Sequence, residues 1–241
     1  PVYLKENDDM EWPDDPVFYM ITSEGMMKCR NTPFFRSCVK ATSAPAELEP
    51  QKPFLKLRYP KIPQDLLEQV AGFFSAIEKA HSAEAYVCLC WDKVEEKYVI
   101  ICPPQDISGA HVSYDMPQLP PNLMAVGDIH SHVNMSAYAS GVDENDETHR
   151  PGIHVVIGRI SQEPPEFHIE AVVDGTRFGV SEALMLEGYE KRKDFPPEWM
   201  DGVSAKKPNF GGKVQKHGTI VGGFGHGYGG GYEGSENAWN D

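Results

Sequence analysis

Leu123-Met124-Ala125-Val126-Gly127-Asp128-Ile129-His130-Ser131-His132 runs from an apolar segment straight into two histidines. The apolar half, 123–129, predicts a buried strand. Histidines at i and i+2 on an extended segment project to the same side, so both imidazoles can reach one ion. Seven residues separate His132 from Ser140, and Asp143 stands three further on, giving H-S-H-x7-S-x-x-D. Two imidazole nitrogens and one carboxylate oxygen leave the fourth tetrahedral position to water. That arrangement marks a catalytic zinc site; a closed structural site would call for thiolates, and none lies nearby.

Two other readings of these residues stand beside it. H-x-H pairs also arise on exposed strands. Ser140 and Asp143 scan as a helix capping box, with Ser140 as N-cap and Asp143 at N3; a helix N-terminus would also hold Asp143 in place. By alternation Asp128 is expected to face away from the histidines, with the capacity to orient an imidazole from behind. His149 is a possible supporting group, while Asp146 and Glu147 read as a solvated acidic helix face. His154 and His168 are assigned to strands, His111 to a loop and His81 to a helix end. A metal-activated water needs a carboxylate base from elsewhere in the fold. Glu84, opening the strand 84–91 after a long helix, is the candidate; Glu68, Glu78, Glu95 and Glu96 lie on the helix and in a turn.

Outward from the motif, 64–81 places Leu66, Leu67, Val70, Phe73, Phe74 and Ile77 at helical spacing behind Pro63. Segments 84–91 and 97–102 predict a hairpin stopped by Pro103-Pro104. A strand is expected at 153–157, a second hairpin across Asp174-Gly175, and a helix from Ser181 to about Lys193. Upstream, 1–16 read as a loose lead-in, 17–21 and 26–30 as a hairpin, and 41–53 as a proline-rich linker. The expected domains are 1–53, 54–200 as a mixed α/β (α+β) domain, and a Gly/Tyr-rich flexible tail at 201–241.

With 241 residues the chain can bury a sizeable core. Its net charge of -14 argues against nucleic acid and against an anionic membrane surface. The five cysteines are an odd count, and Cys88 and Cys90 alternate within an apolar run, which reads as buried free thiols in a reducing cytoplasm. No basic stretch followed by an apolar run opens the chain, so no signal peptide is expected.

The motif resembles the signature of the JAMM family, also called JAB or MPN+: a glutamate followed far downstream by H-S/T-H-x7-S-x-x-D. Glu84 before Tyr86-Val87-Cys88-Leu89 is similar to the family's opening glutamate strand. The resemblance covers roughly 60–200. It implies a JAB/MPN-like mixed sheet flanked by helices, with cytidine-deaminase-like layering. It further implies one Zn2+ on His130, His132 and Asp143, Glu84 as general base, and Ser140 as support for an oxyanion. Many members carry Pro after the second histidine, where this chain has Val133. Gly127 to His132 together with Tyr138-Ala139-Ser140 and the acidic run 143–146 resemble bacterial JAB proteins of the PRTRC type. Those stand beside ubiquitin-like, conjugating-like and ThiF-like activating proteins. The implied substrate is the C-terminal tail of a ubiquitin-like protein or its conjugate. The rival class is a zinc-binding scaffold or RadC-like protein in an operon-encoded complex.

Overall fold

Pro63, extended at φ -60 and ψ 138, ends the preceding chain, and helix α1 (Gln64–His81) begins behind it. Ser82 closes the helix in the left-handed region, its N–H donating to the Glu78 carbonyl. This computed structural model describes residues 1–43, 45, 48–109 and 111–205. Of the flexible tail expected at 201–241, residues 206–241 lie outside these residues, while 203–205 form a strand. The chain divides into two compact units between Phe54 and Leu55.

The first unit is a four-stranded sheet in the order β1 (Val2–Leu4), β2 (Val17–Thr22), β3 (Gly25–Asn31), β4 (Arg36–Lys40). The expected hairpin is β2–β3. Two strands go beyond the expectation: residues 2–4, assigned to a loose lead-in, pair parallel with β2, and β4 extends the meander. Phe18 explains the lead-in's order, because Tyr3 and Trp12 pack their rings edge-on against it at 5.6 and 5.4 Å.

The second unit is built on a six-stranded sheet. Its order is β12 (Thr176–Gly179), β11 (Glu166–Val173), β10 (Gly152–Gly158), β9 (Leu123–Ser131), β5 (Tyr86–Asp92), β6 (Lys97–Ile101). Only the central β9–β10 pair is parallel. The fold class is α+β. Val87, Leu89, Ile129, Val155 and Ile157 join Leu67, Val70, Phe73, Phe74 and Ile77 of α1 in one buried cluster. The opposite face carries Tyr86, Cys88 and Cys90, with Tyr114 and Met116 packed against them. β7 (Gln105–Ser108), β8 (His111–Tyr114) and β13 (Val203–Ala205) form a third sheet. His111 therefore opens a strand and not a loop, and the ordered unit runs beyond residue 200.

The C-terminal helix is much shorter than expected. α3 spans only Glu182–Met185, and Leu186 is already extended. Ile62 donates its N–H to the Met185 carbonyl, and Glu187 donates to the carbonyl of Ile62. Beyond it the chain crosses α1. The buried Glu68 carboxylate accepts the N–H groups of Glu190 and Lys191 at 2.8 and 3.3 Å and pairs with Lys193 at 2.7 Å. Lys193 donates its own N–H to the Glu68 carbonyl. Gly72 makes this crossing possible: a Cβ there would stand 1.9 Å from the Lys193 carbonyl oxygen. A helical 186–193 would give up these bonds, and tertiary pairing outweighs propensity here.

Candidate metal centre

β9 carries Asp128 and His130 on the sheet face opposite α1, and His132 follows one residue past the strand's end. The strand's close approach to β10 depends on Gly127, where a Cβ would lie 1.8 Å from the Ile153 carbonyl oxygen. Beyond the strand, Val133 turns the chain at φ 49, and Tyr138 sets its ring edge-on to the His132 imidazole at 4.9 Å. Helix α2 (Gly141–Glu147) then begins in a full capping box. The Asp143 N–H donates to Ser140 Oγ at 3.3 Å, and the Ser140 N–H donates to Asp143 Oδ2 at 2.8 Å. The capping reading and the ligand reading thus coexist, because the cap aims Asp143 at the histidines.

His132 Nε2 lies 3.3 Å from Asp143 Oδ2, and His130 Nε2 lies 3.7 Å from the same oxygen. The three donor atoms stand within 4.8 Å of one another. Donors on a tetrahedral zinc, each about 2.0–2.1 Å from the ion, are roughly 3.3 Å apart. His130 Nε2 is buried and has no hydrogen-bond partner among the described residues. A buried imidazole nitrogen without a partner is costly, and an ion shared with Asp143 removes that cost. The residues fit a zinc ion by spacing, donor type and this orphaned nitrogen.

Glu84 is nine-tenths buried beside the cluster. Ser131, the residue between the two histidines, fixes it there: its Oγ accepts the Ala85 N–H at 3.0 Å and its N–H donates to the Ala85 carbonyl at 3.0 Å. Burial pushes the Glu84 carboxyl above its ordinary value; His132 and His130 oppose that shift and Asp143 adds to it. Burial works to lower His130, but Asp128 and Asp143 together outweigh it and carry the imidazole up to about 10. Asp143 is held well below the carboxylate range by His130 and His132, against its burial.

Asp128 corrects the alternation argument. Positions 128, 130 and 132 share one parity, and Asp128 Oδ1 lies 3.8 Å from His130 Nδ1 on the same face. Its Oδ2 accepts from Arg150 Nη1 at 3.1 Å and lies 3.0 Å from His154 Nδ1. Glu147 is 1% exposed, not part of a solvated helix face, and pairs with Arg177 at 2.5 Å. The buried His154 and Glu147 and the partly buried Arg150 and Arg177 thus form a charged support behind His130 that sequence reading missed. One signal was present: His154 interrupts the apolar strand Ile153 to Ile157. Asp128, His130 and Glu147 also come within 4.8 Å of one another, but Arg150 and Arg177 already neutralise the two carboxylates. His149 is not among either group and lines a separate recess with Thr148 and Asp174.

Fold and site define an α+β protein with a candidate metal centre of two histidines and an aspartate beside a buried glutamate. No family model and no curated protein matches the chain. Among solved structures it is similar to a JAB1/MPN domain protein from Archaeoglobus fulgidus, at 19% identity and a TM-score of 0.34, over 53% of this chain and 97% of that one. Among the described residues no helix is long and apolar enough to cross a membrane.

Proposed function

We propose that the protein is a zinc-dependent amide hydrolase of the JAMM type, acting at the C-terminal tail of a ubiquitin-like protein. The observation that carries this reading is the convergence of His130 Nε2, His132 Nε2 and Asp143 Oδ2 beside Glu84. When bound to these three side chains, zinc supplies Lewis-acid polarisation of a carbonyl and lowers the pKa of water. The protein's own groups do the rest. Glu84 accepts a proton from the attacking water and delivers it to the departing amine. Its raised proton affinity suits both halves of that transfer. The Ser140 hydroxyl accepts a bond from Asp143, so its own proton remains available for the oxyanion that forms at the scissile carbonyl. Tyr138 and Asp128 restrict the two imidazoles to one orientation each. The ubiquitin-like substrate class, and conjugating-like and ThiF-like partners, rest on the resemblance of the 127–146 stretch.

The test is hydrolysis of ubiquitin-like proteins bearing C-terminal extensions or lysine isopeptides by zinc-loaded protein. Glu84→Gln should keep the metal and lose about 10²–10⁴-fold in turnover. A protein that binds zinc yet leaves every such substrate intact would instead be a binding module. Equal turnover by Glu84→Gln would remove Glu84 from its role.

A further inference from the structure

The first unit holds a pair of thiols that the metal centre does not use. Cys29 on β3 and Cys38 on β4 are directly opposed in the antiparallel register, and their sulfurs lie 3.1 Å apart. Opposed antiparallel residues have Cα atoms about 4.5–5.5 Å apart, inside the roughly 4.4–6.8 Å window of disulfides. The pair is also asymmetric. Cys29 is buried and Cys38 is exposed. Cys38 lines an open cavity of about 650 Å³ with Trp12, Met20 and Met27, whose polar side is mainly acidic, with Glu6, Asp8, Glu11 and Glu24 beside Lys5. Burial, reinforced by Cys38, pushes the Cys29 thiol up to about 12. The chain's other close thiols differ. Cys88 and Cys90 sit two apart on one strand, both buried, with sulfurs 3.7 Å apart.

We propose that Cys29 and Cys38 form a reversible cross-strand disulfide by exchange with a low-molecular-weight disulfide of the glutathione class. The Cys38 thiolate attacks one sulfur of the oxidised reagent, releasing the first glutathione thiolate and leaving a mixed disulfide that faces the cavity. Cys29 then gives up its proton and attacks the Cys38 sulfur, releasing the second. The protein dithiol loses two protons and two electrons, and one glutathione disulfide becomes two glutathione thiols. The bond ties β4 to β3 across the hairpin whose tip carries the exposed Phe34 and Phe35. This inference is independent of the metal-centre reading.

The experiment equilibrates the full chain in buffers of graded oxidised-to-reduced glutathione ratio, quenches it with an alkylating reagent, and maps the peptides by mass. Alkylatable thiols should fall from the five of the sequence to three, with Cys29 linked to Cys38. Cys29→Ser should trap glutathione on Cys38, and Cys38→Ser should keep all four remaining thiols free. Five free thiols at the most oxidising ratio, a bridge involving Cys88, Cys90 or Cys102, or a stable glutathione adduct on Cys38 of the wild-type chain would each overturn it.

Discussion

At the scale of single residues, the site turns on which atoms have partners. His130 places Nε2 toward Asp143 and Nδ1 toward Asp128, so one imidazole joins the candidate metal position to the support of Asp128, Arg150 and His154. Asp128→Asn keeps the shape but removes the negative charge 3.8 Å from His130 Nδ1. It should weaken zinc affinity by about 10–100-fold, read by competition with a metal chelator, while the far-ultraviolet spectrum stays unchanged. Glu84 has a different signature. Its carboxyl is raised by burial, and a base acts only when deprotonated. The acid limb of kcat/KM should therefore lie above the ordinary glutamate value of about 4.3, with rate rising as pH climbs through it. A limb at or below that value would contradict the assignment. The H-S-H-x7-S-x-x-D spacing made the three ligand candidates legible, because strand alternation and a helix cap are local rules. Glu147, Arg150 and Arg177 were not legible, since only tertiary packing turns a polar helix end and a strand arginine inward.

At the scale of elements, backbone geometry explains both successes and misses. α1 has the bounds its periodicity predicts, whereas α3 stops early because Glu68 captures the segment that follows. Glu68 is held down at about 2, with Lys193 and the amides of Glu190 and Lys191 outweighing its burial. Its folded value lies below its unfolded one, so its contribution is fully present above about pH 4.3 and is lost as pH falls toward 2. Glu68→Gln weakens the charge-assisted bonds from the Glu190 and Lys191 amides and should cost about 1–2 kcal/mol in denaturant unfolding at neutral pH, and the difference from wild type should shrink in acid. Val133 is the second case. The resemblance places proline there, yet φ is 49, which a pyrrolidine ring cannot adopt. Val133→Gly should stabilise the protein by about 1 kcal/mol, and Val133→Pro should lower its thermal midpoint; the reverse ranking would show a different turn after His132.

At the scale of the molecule, the sheet of the second unit separates two tasks. One face is apolar and carries α1; the other carries Asp128, His130 and His154. The α+β class was legible because hydrophobic period and turn residues agree along most of 64–180. The β7–β8–β13 sheet was not, since its strands are short and proline-flanked, and β13 comes from far along the chain. A metal that binds only the folded chain stabilises it by mass action, about 2.7 kcal/mol at a hundredfold excess over Kd. Zinc should thus raise the thermal midpoint, a chelator should reverse the gain, and Asp143→Ala should show neither effect.

The most direct measurement is anomalous diffraction from zinc-grown crystals, recorded on both sides of the zinc absorption edge. A single peak among His130 Nε2, His132 Nε2 and Asp143 Oδ2 is the predicted result. Zinc bound elsewhere with these three side chains turned apart, or no anomalous peak at all, would contradict it.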